Sequence, residues 1–158
     1  MNYTIRSAQQ ADLSAIVRLC EEHAAYEQVA YSSAGKAEQL ALHLFTSKPS
    51  FQCIVVEHRR ALVGYATYSL EFSTWDASHY VHMDCLYLQE AYRGKGIGGA
   101  LLKEVAKEAH RQGCTLIQWQ TPEWNTQAID FYHHLGATSK KKLRMYLGDD
   151  SLHQLIKI

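Results

Sequence analysis

Arg93-Gly94-Lys95-Gly96-Ile97-Gly98 is the stretch that decides the fold of this chain. An apolar run at 85–88 precedes it, and a helical pattern at 100–105 follows it. A strand, a glycine-rich turn and a helix start in this order build an anion site, because glycines allow close approach and the first helical amides have no intrahelical partner. The helix dipole and two basic side chains add positive charge. The stretch therefore predicts a phosphate-binding loop.

The pattern of this loop is Arg-x-x-Gly-x-Gly, from Arg93 to Gly98. It is not a P-loop, since no Gly-Lys-Ser/Thr follows four variable residues. It resembles the pyrophosphate-binding motif of the GNAT superfamily of N-acetyltransferases, in which the loop holds the pyrophosphate of acetyl-coenzyme A (acetyl-CoA). The alternative is a glycine-rich turn that only joins a strand to a helix.

Segments further along the chain extend this resemblance. Residues 123–132 are Glu-Trp-Asn-Thr-Gln-Ala-Ile-Asp-Phe-Tyr and residues 135–137 are Leu-Gly-Ala, which is similar to the second half of the same fold. The triplet at 123–125, the pair Tyr26-Glu27 and the triplet at 92–94 resemble the diamine (spermidine/spermine) N-acetyltransferases. The superfamily resemblance covers nearly the whole chain, whereas the branch resemblance rests on these short segments.

The composition is that of an ordinary globular domain. The chain has 158 residues, of which 47% are hydrophobic and 20% charged, and its formal net charge is zero. We therefore expect one domain over residues 1–158 and neither nucleic acid nor an anionic membrane as a partner. No apolar run reaches the ~20 residues of a membrane span, and the N-terminus has no apolar core like that of a signal peptide. The expected location is the cytoplasm.

Cysteine and histidine patterns predict neither disulfides nor a metal site. None of the four cysteines forms Cys-x-x-Cys, and each lies in an apolar or amphipathic segment, so buried free thiols are expected. The nine histidines form neither His-x-x-x-His nor His-Glu-x-x-His.

Hydrophobic periodicity predicts alternating strands and helices. The predicted strands are 3–7, 53–56, 62–68, 80–88, 115–119 and 142–147, and the predicted helices are 11–27, 36–45, 98–112 and 125–135. Residues 71–78 are predicted as a loop, and 152–158 as a short helix or strand. This order predicts an α/β fold with a mixed sheet and helices on both faces, in agreement with the mostly antiparallel sheet that the GNAT resemblance implies.

Tyr132 is the candidate general acid. Acetyl transfer from a thioester to an amine needs a neutral amine, a donor for the oxyanion and a proton for the leaving thiolate. Tyr132 lies seven residues after Asn125, two helical turns on, so both fall on one helical stripe. In the resembled family this tyrosine points at the cofactor sulfur and the asparagine bonds the pantetheine arm. The alternative for Tyr132 is a core residue that only packs its ring.

Asp84 is the candidate general base. It lies in an apolar strand between Met83 and Cys85, where an isolated carboxylate would be costly to bury. By its position relative to the glycine loop, it matches an active-site glutamate of the diamine acetyltransferases and would act directly or through a water. The alternatives are a structural ion pair and an exposed edge position. Strand alternation puts Asp84, Leu86 and Leu88 on one face, unless a bulge intervenes.

The resemblance also assigns contacts to the cofactor and to the acceptor amine. In the family the pantetheine arm pairs with the backbone of the strand before the glycine loop, like an extra strand. The cofactor-binding candidates are Leu86, Tyr87, Leu88, Arg93, Gly94, Lys95, Gly96, Ile97, Gly98, Gly99, Asn125, Ala128 and Tyr132. The acceptor candidates are Tyr26, Glu27, Trp75, Asp84, Gln118, Trp119 and Gln120; carboxylates beside aromatic faces suit a cation.

Two departures from the diamine branch keep the acceptor open. His82 and Cys85 replace a tyrosine and an aspartate of that branch, and the basic segment 138–143 does not favour a polycation nearby. The preferred function is acetylation of a primary amine of a small molecule: a polyamine, a lysine-like amino acid or an amine-bearing antibiotic. The alternatives are acetylation of a protein N-terminus or lysine, and a non-catalytic acyl-CoA-binding module. A homodimer is expected because members of the family often pair.

Overall fold

The computed structural model describes residues 2–157; Met1 and Ile158, the last residue of the predicted terminal element, lie outside the described residues. The chain forms two compact units, one ending at Pro122 and the other beginning at Glu123. The first unit contains the sheet and the glycine loop. The second contains the segment with Asn125 and Tyr132.

Strands and helices alternate along the first unit. Its elements are β1 (Thr4–Ser7), α1 (Leu13–Tyr26), α2 (Lys36–Leu44), β2 (Gln52–His58), β3 (Ala61–Ser73), β4 (Ser78–Leu88), α3 (Ile97–Arg111) and β5 (Ile117–Gln118). Short 3₁₀ turns precede α1 at Gln10–Asp12 and follow β4 at Glu90–Tyr92. The second unit contains α4 (Thr126–His134) and α5 (Asp149–Ile156).

The strands form one five-stranded sheet in the order β1-β2-β3-β4-β5. The first four strands are antiparallel to their neighbours, and β5 pairs parallel to β4. Arg59 and Arg60 join β2 to β3 with φ values of +51° and +63°, as the turn of a tight hairpin requires. The predicted mixed, mostly antiparallel sheet is confirmed.

Helix α1 covers one face of the sheet. Its buried residues Ile16 and Leu19 pack in one cluster with Val55, Tyr65 and Tyr87 from β2, β3 and β4. These three strand residues lie on the same face because Tyr65 is opposite both Val55 and Tyr87 in the register. The apolar stripe that the sequence predicts along α1 therefore packs against the sheet.

Helix α3 covers the other face. It contacts β3 and β4, and it buries Ile97, Leu101, Val105 and Ala109, which recur at helical spacing. None of these four residues belongs to the cluster under α1. The alternating residues of β2 and β3, such as Ile54 and Ala66, are buried and point away from α1. The prediction of helices on both faces is confirmed.

A β-bulge in β4 falls at Asp84. Thr67 of β3 lies opposite Cys85, and the next residue, Tyr68, lies opposite Met83, so Asp84 has no residue opposite it. The extra residue shifts the alternation by one position. Cys85 and Tyr87 therefore share the α1 face with His82, and Asp84 does not alternate with Leu86 and Leu88 as a regular strand would require.

The hairpin from β3 to β4 is longer than the sequence predicts. Residues 71–73 were predicted as part of a loop, but Glu71, Phe72 and Ser73 pair with Tyr80, His79 and Ser78. That part of the prediction is wrong, because cross-strand pairing extends polar residues that have no strand pattern of their own. The turn is confined to residues 74–77, where Ala77 has φ of +46°.

The second unit is helical, and the predicted strand at 142–147 is wrong. Those residues have no regular structure, and Leu143, Met145 and Leu147 are 91%, 83% and 58% exposed. Alternation alone does not make a strand, because a strand needs the backbone groups of a neighbour. Helix α5 takes the helical alternative for the terminal segment. Among residues 2–157, no helix has the length and apolar character that crossing a membrane requires.

Candidate active site

The glycine loop forms an open turn at the start of α3. Gly94 and Gly96 have φ of +69° and +78°, in the left-handed region that favours glycine. Gly96 is the N-cap of α3 and has no side chain with which to cap the first-turn amides. A Cβ built on Gly94 or Gly96 meets no atom within 4 Å, so the space above the turn is open. The predicted anion site therefore has an uncapped helix start and room for a ligand.

Two cations flank this turn and are held by backbone carbonyls. Arg93 Nε donates to Leu88 O at 2.9 Å, and Lys95 Nζ donates to Ala91 O at 2.6 Å. The Arg93 guanidinium also lies 4.3 Å from the ring centroid of Tyr26 and 5.5 Å from that of Tyr87. Stacking on two aromatic faces fixes the position of the charge at the root of the loop.

The edge of β4 opens just before the loop. On the side away from β3, β5 pairs with β4 only at Val81 and His82. β5 is thus shorter than the predicted strand 115–119. From Met83 to Leu88 that edge has no β5 partner, so its backbone groups can bond an extended ligand. Leu86, Tyr87 and Leu88, predicted as cofactor contacts, occupy this stretch.

Asp84 reaches solvent from the bulge. The residue is exposed, and its carboxylate Oδ2 accepts a weak hydrogen bond from Cys85 Sγ at 3.7 Å. Burial, and then the Asp84 charge, raise the pKa of the Cys85 thiol to about 12. Asp84 is therefore not a costly buried carboxylate, and its exposed position matches one of the alternatives. Its role as a base stays a prediction.

The sequence reasoning missed His23, which links α1 to the sheet. His23 Nδ1 is 3.1 Å from the Tyr65 hydroxyl, and its Nε2 is 3.4 Å from Glu27 Oε1. The imidazole stacks on the Tyr87 ring with centroids 5.0 Å apart. Burial lowers the pKa of His23, partly opposed by Glu27 and by Asp84. A neutral imidazole that accepts from Tyr65 and donates to Glu27 satisfies both contacts, and it holds the Glu27 carboxylate in place.

The spacing of His23 and Glu27 is the sequence signal that could have predicted their contact. The two residues are four apart on one helix and therefore neighbours on its surface. Tyr26 and Glu27, both predicted acceptor contacts, lie at the end of this helix. Tyr26 contacts Arg93 and Glu27 contacts His23, so the predicted pair joins the root of the glycine loop to the α1 end.

A shallow polar pocket crosses the exposed end of β3, β4 and β5. Gln118, Trp119 and Gln120, predicted from the resemblance, line it together with Glu71, Tyr80 and His82. Tyr80 and His82 were not predicted as site residues, although alternation along β4 places them on one face. Ser69 Oγ donates to Glu71 Oε1 at 3.1 Å and orients that carboxylate.

Trp75 lies apart from this pocket. It is in the turn between β3 and β4 and is 96% exposed, and it is not among the residues that line the pocket. Ser73 and Asp76 hydrogen bond to each other across the same turn. A role for Trp75 at the acceptor stays a prediction.

In the second unit, Asn125 caps helix α4. Its Oδ1 accepts a hydrogen bond from the Ala128 amide at 3.2 Å, and its side chain is buried. Tyr132 is also buried, with its ring 5.0 Å from that of Phe131. This capping hydrogen bond is one reason for an asparagine at this position. The cofactor contacts predicted for Asn125, Ala128 and Tyr132 stay predictions.

A comparison with known protein families decides the classification. The model of a family described as "Acetyltransferase (GNAT) family" matches residues 16–137. This chain belongs to the GNAT acetyltransferases. The match starts within α1 and ends just after α4, so it takes in the glycine loop and Tyr132.

Individual relatives of this GNAT acetyltransferase fit the diamine branch. Thialysine N-epsilon-acetyltransferase of Bos taurus is 33% identical over 141 residues, which are 84% of this chain and 82% of that protein. The spermidine/spermine N(1)-acetyltransferase-like protein 1 of Homo sapiens is 28% identical over 142 residues, 85% of this chain and 20% of that protein.

Among solved structures, an integron cassette protein from the mobile metagenome of V. cholerae is similar in fold. Its TM-score is 0.81 at 26% sequence identity, and the match covers 100% of this chain and 99% of that chain.

The four cysteines of this GNAT acetyltransferase are free thiols. The prediction of buried free thiols holds for Cys53 and Cys114, whereas Cys20 and Cys85 are free but half-buried. Burial raises the pKa of Cys53 and Cys85 to about 12, so both stay protonated and weakly nucleophilic at neutral pH. Direct attack by an amine needs no such nucleophile.

Proposed function

We propose that this acetyltransferase transfers the acetyl group of acetyl-CoA to the primary amine of a small molecule, by direct attack in a ternary complex. The observation that carries the proposal is the glycine loop, with left-handed Gly94 and Gly96 at the uncapped start of α3 and Arg93 at its root. Because acetyl-CoA carries a pyrophosphate, this loop is where the chain would hold it.

The residues of the loop fit the proposed cofactor. When bound, acetyl-CoA supplies an activated thioester acyl group. The amides of Gly94–Gly99 would hold its phosphates, and the open space over Gly96 is what a phosphate needs to reach them. The Arg93 and Lys95 side chains add charge, and the open backbone edge at Leu86–Leu88 would hold the pantetheine arm.

Carboxylates near the bulge would bind the acceptor as a cation. Amines have pKa values near 10, so the ammonium form dominates at neutral pH and must lose a proton before attack. Glu27, fixed by His23, and the exposed Asp84 supply negative charge on the α1 side. Asp84 then accepts the proton, directly or through a water.

Tyr132 supplies the proton to the departing thiolate in this proposal. Phenols keep their proton at neutral pH and can therefore donate it. The support is the resemblance of residues 123–132 to the family segment that carries this tyrosine. Asn125 supports the same helix by capping it.

The names of the relatives favour an acceptor with an amine at the end of a chain. Thialysine carries its ε-amine at the end of a side chain, and spermidine and spermine end in amines. We extend this chemistry to the present chain. Acetylation of a protein N-terminus or lysine is the competing function.

A panel of free amines tests the function. The assay follows release of the free thiol of CoA with polyamines, diamines, lysine-like amino acids, aminoglycosides and a peptide with a free N-terminus. We expect turnover with terminal aliphatic amines and none with the peptide. Acetylation of the peptide alone would favour protein acetylation, and CoA binding without turnover of any amine would contradict the proposed function.

The assembly and location belong to the same proposal. The chain acts as one catalytic domain and as a homodimer in the cytoplasm. Support for the dimer comes from residues 142–147, where exposed Leu143, Met145 and Leu147 alternate, as expected of a segment that a second copy could cover. Support for the cytoplasm comes from the free cysteines, which are typical of a reducing compartment. Light scattering after size-exclusion chromatography gives the mass in solution; a monomer would contradict the dimer. Localisation of a fluorescent fusion tests the compartment, and signal outside the cytoplasm would contradict it.

A further inference from the structure

The polar pocket across β3, β4 and β5 lies beyond Asp84, as seen from the glycine loop. β4 passes Tyr80 and His82 of the pocket, then Asp84, and then enters the loop after Leu88. A linear acceptor with its reacting amine at Asp84 and the acyl donor on the loop side would extend its other end toward this pocket.

We infer that the pocket binds the α-amino-acid head group of the acceptor, and that the enzyme prefers a free diamino acid of about lysine's length to a diamine or polyamine. This inference rests on the proposed function and names the substrate class of that site. The pocket-lining side chains decide it, because they are of two complementary kinds.

One kind is an anion and the other is a set of neutral donors. Among the described residues that line the pocket, Glu71 is the one carboxylate, and it suits an α-ammonium. His82, Gln118 and Gln120 can each donate an N–H bond, and together they suit an α-carboxylate. A polyamine has only cationic nitrogens, so it would leave these donors without an anion.

The register brings the two kinds to one level of the sheet. His82 lies opposite Ser69 on β3 and opposite Gln118 on β5. Glu71 lies two pairs further out, opposite Tyr80, but its carboxylate accepts a hydrogen bond from Ser69 Oγ at 3.1 Å. The anion and the donors therefore meet at the level of His82.

The distance to Asp84 matches the length of a lysine side chain. His82 lies level with Ser69, and the bulge places Asp84 between the levels of Tyr68 and Thr67, so the two residues are about 5 Å apart along the sheet at ~3.3 Å per residue. Five bonds separate the terminal nitrogen of lysine from its α-carbon, an extended span of about 6 Å for bonds of ~1.5 Å. An amine at Asp84 therefore places the α-carbon beside His82.

The first test compares lysine with 1,5-diaminopentane, which has the same chain but no carboxylate. We expect kcat/KM to be at least about tenfold higher for lysine, because a charge-assisted contact to the carboxylate is lost with the diamine. Equal or higher kcat/KM for the diamine would overturn the inference while leaving the proposed function in place. Absence of turnover with every amine would overturn both.

Two substitutions locate the effect. His82→Phe keeps a ring and removes the donor, and it should reduce the preference for lysine over the diamine by about tenfold. Glu71→Gln should lower kcat/KM for lysine but not for Nα-acetyl-lysine, which has no α-ammonium. Glu38→Gln, at an exposed position on α2, is the control for loss of a carboxylate. Preferences unchanged in both pocket variants would assign the head group to another site and contradict the inference.

Discussion

The glycine loop can be separated from the stability of the fold by placing one methyl group at each end of helix α3. Gly96 precedes the helix with φ of +78°, and Gly113 follows it with φ of +71°. A Cβ built at either position meets no atom within 4 Å. Replacement by alanine therefore produces no steric clash in either case, and its cost comes from the left-handed backbone alone.

The expected loss of stability is the same for the two variants. An L-residue in the left-handed region costs about 1–2 kcal/mol, and a fold with roughly 5–15 kcal/mol of stability survives that. For a chain of this size the shift in Tm is roughly 2–4 °C per kcal/mol. Gly96→Ala and Gly113→Ala should therefore both melt a few degrees below the parent protein and remain folded.

The expected loss of affinity differs. A methyl group on Gly96 occupies the open space over the first-turn amides, where the phosphates would approach, whereas Gly113 lies at the opposite end of the helix. Titration calorimetry with CoA should give a Kd at least tenfold weaker for Gly96→Ala, about 1.4 kcal/mol, and an unchanged Kd for Gly113→Ala. Equal affinities of the two variants would refute the placement of the cofactor at this loop.

The remaining predictions concern the proton transfers and the acid stability of the fold. Tyr132→Phe should lower kcat by about tenfold to a thousandfold with nearly unchanged CoA affinity. If kcat stays within twofold of the parent under conditions where the chemical step limits the rate, Tyr132 is only a packing residue. Asp84→Asn should lower kcat/KM for the amine about a hundredfold, and this loss should exceed the loss of kcat/KM for acetyl-CoA. The rate of the parent enzyme should rise with pH across the neutral range. Efficient acetylation of an amino acid without a side-chain cation, with lysine inert, would contradict both expectations. A hydrogen bond from Arg6 holds the pKa of Asp12 below its usual value, so this stabilisation is complete above about pH 4 and is lost as the pH falls through the lowered pKa. Arg6→Met should therefore cost about 1–3 kcal/mol at pH 7 and much less at low pH in urea titrations; an equal loss at both values would assign the effect to packing.

Local sequence signals predicted the parts of the fold that depend on local chemistry. The turn at Gly94 and Gly96 and the helix that follows were predicted because glycine content and helical periodicity act within a few residues. The left-handed turn at Gly113 ends α3 for the same reason.

Features that depend on a second strand could not be predicted in this way. The bulge at Asp84 arises from the register between β3 and β4, which no single strand encodes. Glu71 joins β3 because Tyr80 lies opposite it, whereas the alternating segment at 142–147 has no assigned strand. The position of His23 likewise depends on its contacts with Tyr65 and Tyr87, which lie far from it in the sequence.

The measurement that tests the central claim most directly is mass spectrometry of the product formed from acetyl-CoA and lysine by the purified chain, with tandem fragmentation to locate the acetyl group. The proposed function, together with the inferred preference for a diamino acid, predicts a singly acetylated lysine that carries the group on its terminal ε-amine, formed in step with the release of CoA thiol. Release of thiol with no acetylated amine, or acetylation restricted to peptide N-termini, would contradict the claim that a small-molecule amine is the acceptor.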